Sequence, residues 1–133
     1  MNEGNGERET INGIKTKKIN SYKDLKVWIE GMHLVDQIYS LSARLPKEEI
    51  YALASQIKRA AISIPSNIAE GHSRSYRADY CRFVYIALGS LAELETQLYI
   101  IQQQQFVPAS EVEAVFERIE YLRAMLLTLA NKL

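Results

Sequence analysis

The chain has 133 residues, of which 47% are hydrophobic and 24% charged, and this length and composition fit one globular domain with a buried core. Sixteen basic and sixteen acidic residues cancel, which excludes a global positive field that would attract nucleic acid or an anionic membrane. Cys81 is the single cysteine, which excludes an intrachain disulfide, and neither a secretory signal nor a membrane span is recognisable. We therefore expect a cytoplasmic protein with no membrane partner.

Residues 1–20 are rich in Gly, Asn, Glu, Lys and Thr, and isoleucines are their only larger apolar residues apart from Met1. Such a segment cannot bury enough surface to offset the entropy of ordering it. We therefore expect a flexible N-terminal tail, followed by one domain over residues 21–133. The lysines near its end form either a solvated linker or an electrostatic arm, and they are Lys15, Lys17, Lys18, Lys23 and Lys26.

The first helix is predicted to run from Ser21 to about Arg44. Ser21 and Asp24 have the spacing of a capping box, and Pro46 disfavours helical geometry at the preceding residue. Gly31 interrupts the helix and indicates a close contact with another helix. Spacings of three and four mark the stripe expected to face the core, which is Leu25, Trp28, Met32, Val35 and Tyr39.

The second helix contains the most distinctive stretch of the chain, QIKRAAISIPSNIAEG over residues 56–71. Pro65 interrupts it, and a proline removes one backbone hydrogen bond and clashes with the preceding turn, so a kinked or broken helix is predicted. Gly71 is expected to end it in the left-handed conformation. The kink either adjusts helix packing or carries Asn67 and Glu70 into a polar network or interface. One apolar stripe crosses the proline and consists of Ile57, Ala61, Ile64 and Ile68.

The third helix, with Ser75 as its predicted cap, is the longest. Its main apolar stripe alternates spacings of four and three and consists of Tyr80, Val84, Ala87, Leu91, Leu94, Leu98 and Ile101. A second apolar row lies about 100° further round the helix and consists of Cys81, Tyr85, Leu88, Ala92 and Tyr99. Two apolar faces need two partners, so we expect a homo-oligomer in which Gly89 and Ser90 allow close approach. The glutamines at 102–105 are expected to fray the end of the helix.

The fourth helix is predicted to start at Ser110, with Glu113 completing a capping box. Its stripe repeats the same alternation and consists of Val115, Ile119, Leu122, Leu126, Leu129 and Leu133. Together the four helices predict an all-α bundle.

Residues suited to catalysis are few. His33 and His72 are far apart and neither has a metal-ligand spacing, and no phosphate-binding loop or nucleophile motif occurs. We therefore predict no enzyme, no metal and no cofactor.

A basic cluster is the better indication of function, and it consists of Lys58, Arg59, Arg74, Arg77 and Arg82. It predicts nucleic-acid binding, and the alternative is an ordinary solvated face with local ion pairs.

Three segments are similar to the four-helix-bundle proteins known as 23S ribosomal RNA intervening-sequence proteins. They are YKDLKVW at 22–28, QIKRAAISIPSNIAEG at 56–71 and RFVYIALGSLAELETQL at 82–98. The resemblance covers residues 21–133 and implies an up-and-down bundle that assembles as a ring-like homopentamer. Related bundles are accessory proteins of the reverse transcriptase of diversity-generating retroelements, where they bind nucleic acid and the polymerase. Those proteins are typically strongly basic, whereas this chain is neutral.

Family-motif or interface roles are predicted for Pro65, Asn67, Glu70, Gly71, Leu88, Gly89, Ser90 and Glu93. The resemblance matches Arg59, Asn67, Glu70, Gly71, Gly89, Ser90 and Glu93, whereas Leu88 is included as a member of the second apolar row and Pro65 as the site of the kink. It implies no catalytic residue. The sequence thus predicts a non-enzymatic oligomer that binds RNA or DNA, or assists a reverse transcriptase. The alternative is a structural or protein-binding oligomer with no nucleic-acid contact.

Overall fold

The computed structural model describes residues 8–11, 14–17 and 21–133. Within the N-terminal segment, β1 (Arg8–Ile11) and β2 (Ile14–Lys17) pair antiparallel, with Arg8 opposite Lys17 and Ile11 opposite Ile14. Each strand contains Thr and Ile, whose branched side chains favour extended backbone. Strands were not predicted here. The rest of residues 1–20 lies outside the described ranges, and the flexibility of the tail stays a prediction.

Four long helices follow: α1 (Lys26–Ser42), α2 (Leu53–His72), α3 (Arg77–Gln104) and α4 (Ala109–Asn131). Each helix packs against the next, and α4 also packs against α1. Among the described residues, neither diagonal pair of helices has Cα atoms within 8 Å of each other. Short connections join sequential neighbours, so the helices run alternately up and down. The predicted four-helix bundle is therefore confirmed. No helix in the described part of the chain has both the length and the apolarity needed to cross a bilayer.

The core is a column of aliphatic side chains contributed by all four helices. The stripes predicted for α2, α3 and α4 supply most of it, as the complete burial of Ile57, Leu91 and Leu122 illustrates. The large side chains that are fully enclosed are Leu34, Ile38, Ile57, Ile64, Ile68, Leu91, Leu94, Leu98, Ile101, Ile119, Leu122 and Leu126.

The stripe predicted to face the core on α1 is wrong, because the buried row lies about one residue earlier in the sequence at each turn. The side of α1 that faces the core carries Val27, Gly31, Leu34, Ile38 and Leu41. Two members of the predicted row, Met32 and Tyr39, are instead 41% and 48% exposed. Both rows have spacings of three and four, so periodicity fits either, and the positions of α2 and α4 select the inner one.

The predicted start of α1 is also corrected. Ser21 caps a short 3₁₀ turn, Tyr22–Asp24, where its hydroxyl accepts a hydrogen bond from the Lys23 N–H at 3.2 Å. Leu25 is extended, and α1 begins only at Lys26. A second 3₁₀ turn, Lys47–Glu49, likewise separates the proline-containing connection from α2.

The other predicted caps are not formed. α3 begins after Tyr76 rather than Ser75, and no side chain caps it. α4 begins directly after Pro108, so Ser110 lies inside the first turn and the predicted capping box is absent. The end of α3 is ordered rather than frayed: the Phe106 N–H donates to the Ile101 carbonyl at 3.2 Å, in a Schellman arrangement around a left-handed Gln105.

Candidate functional site

Pro65 lies within α2, which continues without a break from Leu53 to His72. The predicted break therefore does not occur, and the angle of any bend stays a prediction. The proline ring is buried against α1: a Cβ added at Gly31 would lie 3.4 Å from the Pro65 Cβ. The close helix contact predicted at Gly31 is thus confirmed, and Pro65 is the residue on the other side of it.

Two polar side chains next to Pro65 bond to the preceding turn of α2. The Ser66 hydroxyl donates to the Ile62 carbonyl at 2.8 Å, and the Asn67 amide donates to the Ser63 carbonyl at 2.7 Å. The carbonyl that Pro65 leaves without its helical N–H donor is that of Ala61, whereas these side chains bond to the next two carbonyls along the chain. The bond to Ser63 engages the Asn67 amide within its own helix.

Gly71 is inside α2 and does not end it. The capping residue is Ser73, which has a right-handed conformation, so the predicted left-handed stop is wrong. A Cβ at Gly71 would lie 2.7 Å from the Phe83 Cβ and 3.1 Å from Tyr80 Cδ1. The glycine is therefore required for the close approach of α2 and α3.

The remaining motif residues of α3 separate into inner and outer positions. Ser90 accepts a hydrogen bond from Ser63, so it holds α3 to α2 within the chain. Gly89 is exposed, and a Cβ there would meet no atom within 4 Å. Leu88 is half-buried against the core, whereas Glu93 is exposed. Of the four, Gly89 and Glu93 face outward and are available to another molecule.

The second apolar row of α3 lies partly along α4. The Tyr99 and Phe116 rings are 4.6 Å apart between centroids, and Cys81 Sγ lies 4.0 Å from the Ala130 carbonyl oxygen. One of the two partners that this row needs is therefore α4 of the same chain. Tyr85 and Tyr99 are still 54% and 55% exposed, so part of the row remains uncovered.

The five predicted basic residues do not form one patch in a single chain. Lys58 and Arg59 lie in the first half of α2, and the Lys58 ammonium is 5.3 Å from the centroid of the Tyr39 ring. Arg74 lies beyond the other end of α2. At 1.5 Å per helical residue, roughly 20 Å separates Arg59 from Arg74 along the bundle.

Arg74 and Arg82 meet at the Phe83 ring, at the corner between α2 and α3, whereas Arg77, at the start of α3, contacts the end of α4. Arg74 forms an ion pair with Glu70, Nη2 to Oε2, at 3.0 Å. The guanidinium carbons of Arg74 and Arg82 lie 4.9 and 4.6 Å from the centroid of the Phe83 ring. Arg77 donates to the Lys132 carbonyl, which ties the start of α3 to the end of α4. Arg82 forms no ion pair within the described residues, so its stacked guanidinium keeps its N–H edge free for phosphate oxygens.

Charge is segregated between the two ends of the bundle. At the end where α2 meets α3, which we call the basic end, six cations outnumber four carboxylates. The cations are Lys23, Lys26, Arg74, Arg77, Arg82 and Lys132, and the carboxylates are Asp24, Glu30, Glu70 and Asp79. At the opposite end the excess is reversed, with Arg44 and Lys47 against Glu48, Glu49, Glu111 and Glu113.

Two titratable groups near the basic end are shifted. The pKa of the Lys26 ammonium is raised, chiefly by its hydrogen bond with Tyr121, so this cation stays charged over the whole physiological range. Burial raises the pKa of Tyr80, the residue that packs against Gly71. Among the described residues, no group of three or more His, Cys, Asp and Glu is placed to hold a metal ion.

Sequence reasoning missed a second surface, the outer side of the α1–α2 seam. Trp28, Met32 and Val35 of α1 line a groove there with Ile62 and Pro65 of α2. The signal was present in the sequence, because these α1 residues are the row predicted for the core. Their periodicity predicts one continuous row, and the structure places that row on the outer side of the seam rather than in the core.

Comparisons with known proteins agree with this architecture. The family model described as 23S rRNA-intervening sequence protein matches residues 23–128. A crystal structure from Bacteroides thetaiotaomicron, described as a protein with unknown function from the S23 ribosomal protein family, is 23% identical with a TM-score of 0.74. The match covers 79% of this chain and 95% of that chain, and it supports the fold alone. Comparison with curated proteins found no match.

Proposed function

Because the chain belongs to the family of 23S rRNA-intervening sequence proteins, we propose that it is a non-enzymatic, homo-oligomeric bundle that binds nucleic acid through its basic end. The observation that carries the proposal is the charge segregation described above. A chain with no net charge can bind phosphate only where its cations are concentrated. They are concentrated at the basic end, in the corner of Arg74 and Arg82 and at Arg77 beside the end of α4.

The geometry of this corner suits backbone phosphates better than bases. Stacking on Phe83 and bonding to the Lys132 carbonyl hold the arginines in place, so little side-chain entropy is lost on binding. Tyr76 is 73% exposed just before α3 and offers one ring to a base. Sequence preference should be slight, because phosphate contacts carry no direct sequence information. An oligomer would present several such corners, which add by avidity.

The experiment is a titration of a structured RNA and a DNA duplex at several salt concentrations. Phosphate contacts release counterions, so affinity should fall steeply between about 50 and 200 mM salt. The double variant Arg74→Glu, Arg77→Glu should bind at least about tenfold more weakly and with a shallower salt dependence. The matched control, Arg44→Glu with Lys47→Glu, carries the same charge change at the opposite end and should bind like wild type at equal ionic strength.

A second candidate is a protein-binding function, which the exposed apolar residues of the α1–α2 seam favour. The family resemblance points to a reverse transcriptase as the protein partner. Absence of binding to any nucleic acid at low salt would contradict the first proposal and favour this one. The first proposal would also be contradicted if the variants at the two ends of the bundle lost nucleic-acid affinity equally, because the basic end would then have no special role.

A further inference from the structure

The outer side of the α1–α2 seam, here called the α1–α2 face, combines exposed apolar residues with two cations, Lys58 and Arg59, that form no ion pair within the described residues. It consists of Trp28, Met32, Tyr39, Lys58, Arg59 and Ile62. Met32, Tyr39 and Ile62 are 41%, 48% and 41% exposed. Exposed apolar side chains grouped along one seam mark an interaction surface.

The opposite side of the bundle, here called the α3–α4 face, has the complementary character. Tyr99 packs on Phe116 across the seam and is 55% exposed. Glu113, Glu117 and Glu120 follow one another at helical spacing beside Phe116 on α4. Glu120 pairs with Arg123, whereas in the described part of the chain Glu113 and Glu117 form no ion pair.

Like faces would repel. Two α1–α2 faces would bring Lys58 and Arg59 against their own copies, and two α3–α4 faces would oppose glutamates. Unlike faces match, because cations meet carboxylates while tyrosine, methionine and isoleucine side chains cover one another. The two faces lie on opposite sides of the bundle because the helices follow one another in order around it. A contact between unlike faces therefore leaves a free copy of each face for the next chain.

We propose that the α1–α2 face of one copy binds the α3–α4 face of the next copy, head to tail. This inference rests on the proposed assembly and names its surfaces. A repeated contact of this kind closes into a ring or grows into a filament, depending on the rotation at each step. In a ring, cyclic symmetry places every basic end at the same level. Lys58 and Arg59 then belong to the interface, and the corner at Arg74 is left free for nucleic acid.

The test uses full-length chains and light scattering in low and moderate salt. One variant, Lys58→Glu with Arg59→Glu, makes the α1–α2 face acidic. Another, Glu113→Lys with Glu117→Lys, makes the α3–α4 face basic. Each alone should shift from the wild-type assembly to the 15.2 kDa mass of one chain. An equimolar mixture should recover an assembly, because each altered face then meets an opposite charge on the other variant.

Controls separate a lost interface from a lost fold. Arg44→Glu with Lys47→Glu lies on neither face. It removes the ion pair between Arg44 and Glu111 within the chain, a surface contact of small energy, and should leave the mass of the assembly unchanged. Circular dichroism should report equal helicity for all variants. If a charge variant loses helicity, Ile62→Gln replaces it, since Ile62 is exposed and its loss should weaken association at least tenfold without unfolding the chain.

The outcomes distinguish this inference from the proposed function. Wild type with the mass of a single chain at about 100 μM would overturn the proposed assembly and this inference together. A wild-type assembly unaffected by both charge variants, or dissociated by one and not the other, would overturn the face assignment alone. Nucleic-acid titrations test the basic end independently of assembly. The Arg74→Glu, Arg77→Glu variant should lose affinity for nucleic acid and keep the mass of the wild-type assembly.

Discussion

At the scale of single residues, two glycines that the resemblance groups together have opposite environments. A Cβ at Gly71 would lie 2.7 Å from the Phe83 Cβ, a backbone-anchored atom that cannot rotate away. Gly71→Ala should therefore destabilise the fold by about 1–3 kcal/mol, as overpacking of a tight seam does. Chemical denaturation followed by circular dichroism measures this difference in the free energy of unfolding.

Gly89 provides the matched control in the same pair of helices. A Cβ there would meet nothing within 4 Å, so Gly89→Ala should stabilise the helix by up to about 1 kcal/mol through helix propensity alone. A Gly71→Ala variant as stable as wild type would show that α2 and α3 can move apart at no cost. That result would contradict the role assigned to this glycine.

At the scale of an element, the end of α3 depends on one strained residue. Gln105 has a φ of 58°, the left-handed conformation that glycine adopts freely and other residues adopt at a cost of about 1 kcal/mol or more. Gln105→Gly should raise the free energy of unfolding by about 1 kcal/mol. Gln104→Gly, one residue earlier and still helical, should lower it by a similar amount. If the two glycine substitutions changed the free energy of unfolding equally, the left-handed conformation of Gln105 in the Schellman arrangement would be excluded as the cause.

At the scale of the whole molecule, the described core begins at Leu25 and contains residues from all four helices. Deleting residues 1–20 should therefore change the free energy of unfolding by less than about 0.5 kcal/mol, the usual limit for changes away from packed residues. A thermal or urea titration of the shortened chain measures it. Extending the deletion through Leu25 should destabilise the bundle, because that side chain packs on the core. A large effect of the first deletion would place tail residues in the folded domain.

The same deletion separates two sources of nucleic-acid affinity. The basic end alone accounts for the proposed binding, so the shortened chain should keep most of it. If deleting residues 1–20 lowers the affinity and the Arg74→Glu, Arg77→Glu variant does not, the lysines at 15, 17 and 18 are the binding residues instead. The sequence contains both candidates, the lysines of the tail and the arginines of the basic cluster. The net charge of the whole chain is zero, so it does not distinguish between them.

The sequence by itself determined the class of fold and the core faces of three helices. In α2, α3 and α4 the main stripe holds its alternation over several turns, and Ile64, Leu94 and Ile119 are buried as it predicts. A long stripe of this kind must be covered, because leaving it in water costs roughly 25 cal/mol per Å² of apolar surface. This local periodicity needs no knowledge of where the other helices lie.

Tertiary structure decided whatever depended on a neighbour. α1 carries two apolar rows of equal periodicity, and only the positions of α2 and α4 select the row of Leu34 over that of Met32. Gly71 became a packing residue because Phe83 approaches it, and five cations within twenty-five residues of sequence separated because a helix extends 1.5 Å per residue. Distances between helices are set by which surfaces can be buried together. The spacing of apolar residues along the sequence shows which surface each helix can bury, and it does not show which other helix covers that surface.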